Sequence, residues 1–237
     1  MAVKPNDELI DAFFKKVGSS LEEVKGATKL VWREKKLNDD DCKVIAWLVS
    51  IGALANLTEL NLGRNQIGNE GMQVFSTAIR SGSLASLQIL KLYENQIGDE
   101  GMKAFSSALS SGALASLQDL YLHKNQIGDE GMQAFSTAIS SGSLGSLQFL
   151  NLDGNQISDA GMKSFSDAIA MGALASLTKL TFYGNQIGDE GMKAFSSALS
   201  SGALVLPKLA EVFVLGNPGD KTGMKKACSA RGIQCHA

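Results

Sequence analysis

Residues 87–116 read LQILKLYENQIGDEGMKAFSSALSSGALAS. The same pattern returns with a fixed step on either side of this stretch. Asn65, Asn95, Asn125, Asn155 and Asn185 stand 30 residues apart, as do Gly71, Gly101, Gly131, Gly161 and Gly191, and Phe75, Phe105, Phe135, Phe165 and Phe195. A fixed step of this length is the signature of a stacked-repeat architecture, and it takes precedence over any element-by-element reading. Within one unit the apolar residues change period. Leu90 and Leu92 lie two apart and point to one face of a short strand, with Leu87 completing an L-x-x-L-x-L spacing. Met102, Phe105, Ala108 and Leu109 then follow one face of a helix. Asp99 stands where an N-cap is wanted and Gly112 where a helix ends. Each unit thus reads strand, turn, helix, turn. Neither half can bury its apolar face alone, so units must stack, strand beside strand and helix beside helix.

The spacing L-x-x-L-x-L-x-x-N-x-I resembles the leucine-rich repeat consensus. The appended G-M-x-x-F-x-x-A-[IL] and the step of 30 resemble the ribonuclease-inhibitor-like subclass. The resemblance covers residues 57–204 closely, and residues 27–56 and 209–237 more weakly. It implies an α/β fold: a right-handed leucine-rich-repeat solenoid, a horseshoe arc with a parallel sheet on the concave side and helices on the convex side. It also implies binding of other proteins rather than catalysis, although one fold hosts many functions.

Composition agrees with one elongated domain. The chain has 237 residues, 44% of them hydrophobic, and a net charge of -2, so no basic field favours nucleic acid. The start, MAVKPNDELI, carries no apolar run after a basic region and does not read as a secretory signal. No stretch approaches the roughly 20 apolar residues of a membrane span. Three cysteines, Cys42, Cys228 and Cys235, are few and odd in number, which fits a reducing, cytoplasmic setting. Cys42 takes the register position of Met72 and reads as core. Pairing of Cys228 with Cys235 stays open, with free thiols favoured.

Residues 1–26 are not a repeat. Asn6 can cap a helix whose Leu9, Ile10, Phe13, Phe14 and Val17 form one stripe, ended by Gly18, Ser19 and Ser20. A second short helix follows at about 21–25. A partner-binding role for the stripe is outweighed by a simpler one, covering the open end of the array. Residues 27–56 form an atypical first repeat, with Leu30 and Trp32 at the places of Leu60 and Leu62 and Lys35 at the place of the asparagine. Residues 57–208 hold five repeats, the fifth two residues longer. Residues 209–237 close the array, with Val212 and Val214 inward, Asn217 in the turn, a helix at about 222–230 and Ile233 over the last edge. Each turn asparagine is expected to bond back to the backbone and to stack into a ladder. The Asp–Glu pairs at the helix starts, such as Asp99–Glu100, read as capping charges rather than acid–base pairs. Ser106, Ser107, Ser110 and Ser111 are expected to clothe the outer helix face.

The copies differ mainly on the strands, at residues flanking the inward leucines. By the two-residue alternation these point to the concave, solvent side. The first outward position reads Lys29, Glu59, Ile89, Asp119, Phe149, Lys179, Glu211. The second reads Val31, Asn61, Lys91, Tyr121, Asn151, Thr181, Phe213. The third reads Arg33, Gly63, Tyr93, His123, Asp153, Tyr183, Leu215. Next come Glu34, Arg64, Glu94 and Lys124, then Gly154, Gly184 and Gly216. The scaffold is repeated and the concave face is individualised, over about 29 Å if seven strands pair. Five aromatics, Tyr93, Tyr121, Phe149, Tyr183 and Phe213, are expected to be exposed there, suited to anchoring an interface. The alternative is aromatic packing that merely tidies the sheet. The expected partner-binding set is Arg64, Lys91, Tyr93, Tyr121, His123, Phe149, Asp153, Tyr183 and Phe213.

No catalytic, metal or cofactor site is expected. His123 has no second histidine or cysteine at ligand spacing, and the serines fall on the far side from it. No glycine-rich phosphate loop occurs. The first reading is therefore a protein-interaction module, as a monomer or within a larger complex. A structural subunit of a large assembly is an alternative. So is a GTPase activator, by resemblance to the Ran GTPase activator, with Arg64 and Asn65 at the strand-to-turn region; the shorter chain and missing acidic tail depart from that protein. The near-identity of the copies would suit a designed scaffold, but the irregular ends look natural.

Overall fold

The computed structural model describes residues 2–202 and 205–237; Leu204, where the close resemblance ends, lies outside them. Eight three-residue strands alternate with helices. The strands are β1 (Lys29–Val31), β2 (Glu59–Asn61), β3 (Ile89–Lys91), β4 (Asp119–Tyr121), β5 (Phe149–Asn151), β6 (Lys179–Thr181), β7 (Glu211–Phe213) and β8 (Gln234–His236). The helices are α1 (Asp7–Val17), α2 (Leu21–Val24), α3 (Asp39–Ser50), α4 (Asn69–Ile79), α5 (Asp99–Leu109), α6 (Asp129–Ser140), α7 (Asp159–Ala170), α8 (Asp189–Ser200) and α9 (Thr222–Ala230). All eight strands pair in parallel in chain order, in register, with Leu60, Leu90, Leu120, Leu150 and Leu180 aligned. Helices need about 10 Å each and strands about 4.8 Å, so a stack with strands on one side must curve with the sheet inside.

The eighth strand corrects the expectation of seven. Cys235 takes the inward place that leucine or valine holds elsewhere, and its segment pairs with β7 as Val212↔Cys235. Ile233, which precedes it, is buried. The three cysteines are free thiols.

The core is a repeated layer. In the central unit Leu87, Leu90, Leu92, Ile97, Met102, Phe105 and Leu109 are all fully buried, each contributing about 2 kcal/mol by its removal from water. At the N-terminal end α1 starts at Asn6, whose side chain accepts from the Leu9 amide, and stops at Gly18 with φ 71°. Its Phe13 meets Trp32 edge-on at 5.2 Å. Lys16 donates to the wholly buried Asp41 at 2.7 Å.

The polar groups between layers are met by two ladders. The first is built from the turn asparagines. Asn125 donates through Nδ2 to the carbonyls of Leu92 and Leu122 at 3.0 Å, and its Oδ1 accepts from the Ile97 amide at 3.1 Å. It therefore serves its own turn and the one before it. Asn65, Asn95, Asn155, Asn185 and Asn217 repeat the arrangement, and Asn65 supplies the first turn, where Lys35 has no such group.

The second ladder revises the capping expectation. Asp99 is the first helical residue, not the N-cap; Gly98 is the cap and makes no side-chain capping bond. Asp99 instead accepts through Oδ1 from the amides of Gly128 and Gly131, 2.7 and 2.9 Å away at the start of the next helix. Asn69, Asp129 and Asp159 do the same for α5, α7 and α8. The recurring glycine follows from this contact. A Cβ on Gly131 would sit 2.7 Å from Asp99 Oδ1 and 3.1 Å from Met102 Cβ. The serines also divide. Ser107, Ser110 and Ser111 are exposed, but Ser106, with Ser76, Ser136 and Ser166, is buried.

Two substitutions test these ladders. Asn125→Ala leaves the buried Ile97 amide without its partner, while the Leu92 and Leu122 carbonyls keep a second bond from Asn95 and Asn155, so a loss of about 2 kcal/mol in urea unfolding is expected; a loss below about 0.5 kcal/mol would show that the ladder is incidental. Gly131→Ala is expected to destabilise by about 1–2 kcal/mol although alanine is the better helix former by about 1 kcal/mol. A net gain would show that Asp99 yields its position freely.

Candidate functional site

The alternation of the strands turns the variable residues to the concave side: Leu120 is buried on β4 while its neighbours Asp119 and Tyr121 are half-buried. The aromatic residues correct the expectation of five exposed rings. Only Tyr183 is exposed, at 55%, joined by Leu215 at 46%. Tyr93 lies flat between two repeats. Its ring stacks on His123 at 4.6 Å with an interplanar angle of 2°. On its other side it covers Gly63, where an added Cβ would fall 2.4 Å from the ring. Tyr121 packs edge-on against Phe149 at 4.9 Å, and Phe213 stacks on His236 at 3.9 Å. Ring direction decides this burial, which strand spacing alone does not encode.

The charges of the face are largely paired to one another. Glu59 is gripped by Lys29 and Lys91, each at 2.7 Å. Burial opposes its ionisation, but the two ammonium groups outweigh burial and hold its pKa below the ordinary value. Lys91 also lies over the Tyr121 ring at 5.6 Å. Lys179 pairs with Glu211 at 3.0 Å and lies over the Phe213 ring at 4.7 Å. Asp153 is turned inward to the chain, accepting from the Tyr183 amide at 2.6 Å and from the Thr181 hydroxyl. Burial nevertheless pushes its pKa up.

Along the rim, Glu34, Arg64, Glu94 and Lys124 share a left-handed backbone with φ between 52° and 59°. Their side chains form one ribbon. Arg64 bridges Glu34 at 2.7 Å and Glu94 at 3.1 Å, and Lys124 reaches Glu94 at 3.2 Å. The equivalent Gly154, Gly184 and Gly216 keep the same left-handed turn without a side chain. The Arg64 guanidinium is thus occupied within the chain. Burial lowers the pKa of His123, whose Nδ1 is buried without a hydrogen-bond partner among the described residues. His236, the other histidine, lies in β8 opposite Phe213.

The expected binding set therefore falls into groups. Tyr93, Tyr121, His123 and Phe149 form one continuous aromatic patch across β3–β5. Tyr183 and Phe213 lie further along, Lys91 borders the patch, and Arg64 and Asp153 are committed to neighbours. Among the described residues no group of histidine, cysteine, aspartate or glutamate is placed to hold a metal ion. None of the described helices is long and apolar enough to cross a membrane.

The family model for Leucine Rich repeat matches residues 53–76, 83–106, 113–136, 146–166 and 173–196. The chain belongs to the leucine-rich repeat family. No curated protein sequence matches it. Among solved structures, one titled "Crystal structure of PEPR1-AtPEP1" is similar at 19% identity with a TM-score of 0.48. The likeness covers 90% of this leucine-rich repeat chain and 25% of the other, so the chain spans about a quarter of that structure's length.

The ion pairs of Glu59 carry a pH signature. Its folded pKa is lowered, so its stabilisation is present above the ordinary carboxylate range and is lost as pH falls through the folded value. Glu59→Gln is expected to lower Tm at neutral pH, with the difference shrinking below about pH 5. Thermal unfolding across a pH series checks this, and a difference constant with pH would contradict it.

Proposed function

We infer that the chain is a non-enzymatic protein-interaction module that receives a protein partner on its concave face, within the ribonuclease-inhibitor-like subclass. The single observation behind this is the contrast between faces. Convex and core positions repeat almost unchanged, whereas the outward strand positions change between every two adjacent copies. These side chains lie outside the leucine layers, so the core itself does not call for that variety. The aromatic patch of Tyr93, Tyr121, His123 and Phe149 supplies rigid contact area, and Tyr183 adds an exposed anchor. Opposite charges are interspersed on the face, which suits a protein surface better than a polyanion. The 30-residue step, with a full helix in each unit, supports the subclass. Free thiols support a reducing compartment. The tie between Arg64 and both Glu34 and Glu94 weighs against a GTPase activator working through that arginine.

The test is the triple variant Tyr93→Ala, Tyr121→Ala, Tyr183→Ala, with its fold verified by circular dichroism. Affinity capture from native lysate should recover a partner with the unmodified chain and lose it at least about tenfold with the variant. Equal recovery by both would move the site off the concave face and favour the assembly-subunit reading.

A further inference from the structure

Asp119 stands apart from the other acidic groups of the sheet. Glu59 and Glu211 are ion-paired and Asp153 accepts two hydrogen bonds. Asp119 has no ion-pair or hydrogen-bond partner among the described residues. It is half-buried in the middle of the sheet, and its register neighbours are Ile89 on β3 and Phe149 on β5, neither of them charged. Tyr121 follows it on the same face. Lys91 is near enough to act on it through space, but the Lys91 ammonium is held by Glu59 at 2.7 Å.

The chain contains a completed version of this arrangement. On β7, Glu211 occupies the same first outward position as Asp119, and Phe213 the same second position as Tyr121. There the adjacent strand supplies Lys179, whose ammonium meets the carboxylate at 3.0 Å and the ring at 4.7 Å. On β4 the carboxylate and the ring are present, but the preceding strand supplies Ile89 at the place of Lys179; its Lys91 lies over the Tyr121 ring at 5.6 Å but pairs with Glu59 rather than Asp119, and the following strand supplies Phe149. The edge-on contact of Tyr121 with Phe149 adds a second aromatic wall.

We propose that Asp119, Tyr121 and Phe149 form the seat for one cationic side chain, an arginine, of the protein partner. The proposal rests on the concave-face reading above. A planar guanidinium can pair with the carboxylate and lie against an aromatic ring at once, which an ammonium does less well. A desolvated carboxylate without a partner weakens the free protein, and burial raises its pKa accordingly. A partner's cation repays that cost only in the complex.

The probe is N-acetyl-arginine methylamide, titrated into the ¹⁵N-labelled full chain and followed by NMR. Saturable shifts are expected at the amides of residues 119–121 and 149–150, with a Kd on the order of 1 mM. The neutral isostere N-acetyl-citrulline methylamide should bind at least tenfold more weakly to the unmodified chain. Asp119→Asn should weaken the arginine probe by a similar factor while leaving Tm unchanged or higher. Equal binding of arginine and citrulline probes, no saturable shift, unchanged affinity in Asp119→Asn, or a lowered Tm in that variant would each overturn the proposal. The two readings fail separately. Partner capture lost with the tyrosine variant, alongside any of those outcomes, retires the seat alone; capture unaffected by the tyrosine variant retires the concave-face reading.

Discussion

The fold depends on one constraint: the polar backbone groups of each turn and each helix start are satisfied by a neighbouring repeat. The asparagine ladder runs backwards, with Asn125 holding the Ile97 amide and the Leu92 carbonyl of the preceding unit. The aspartate ladder runs forwards, with Asp99 holding the Gly128 and Gly131 amides of the next. A single unit removed from the stack would have its core open on both sides and its turn amides unmet. Each buried orphan costs about 1–3 kcal/mol, so the polar ladders couple neighbours as firmly as the leucines do. This is the physical content of nearest-neighbour stability in a solenoid. It also explains why Gly131 and its equivalents are glycine although their φ is ordinary: the approach of the aspartate leaves no room for a methyl group.

Because these ladders and the leucine layers carry the fold, the outward strand positions are released from it. What they hold instead is a set of local settlements. Glu59 takes two lysines, Lys179 takes a carboxylate and a ring, and Asp153 takes backbone and hydroxyl donors. These pairings fix side-chain directions on a surface that would otherwise be loose, so the face is pre-ordered. Asp119 is the exception to the settlement, which is why it carries more information than the charges around it.

Much of this was legible in the sequence, because the signals are local and repeated. The 30-residue step, the Leu90–Leu92 alternation and the Met102–Phe105–Leu109 spacing define the unit without any tertiary knowledge. What was not legible depends on contacts between units. Asp99 sits where a local cap would sit, yet its hydrogen bonds are made 29 and 32 residues on. Ser106 looks like its exposed neighbour Ser107 until helix stacking buries it. The eighth strand has a cysteine where the pattern calls for leucine and becomes a strand by pairing with β7. Tyr93 was recognised as outward-facing, but its partial burial depends on the bare backbone of Gly63 beneath its ring. Strand alternation marks Asp119 as one outward residue among many, since its lack of a partner shows only when every neighbouring charge has been placed.

The rim shows how the face is divided. A non-glycine residue in the left-handed region costs about 1–2 kcal/mol, and a solvent-screened ion pair on the surface returns less than that. At Glu34, Arg64, Glu94 and Lys124 the ribbon of ion pairs therefore offsets the backbone cost only in part, and glycine would serve the turn at least as well. Glycine does serve it at Gly154, Gly184 and Gly216. The turn itself does not explain the side chains on the first four repeats. Their effect is to close the N-terminal half of the rim with a continuous, self-neutralising ribbon. The C-terminal half keeps a bare backbone beside the exposed Tyr183 and Leu215. On the rim only the glycines leave the turn without a side chain, and the aromatic patch with Asp119 lies at the boundary between the two halves. The geometry thus gives the concave face a direction as well as a composition.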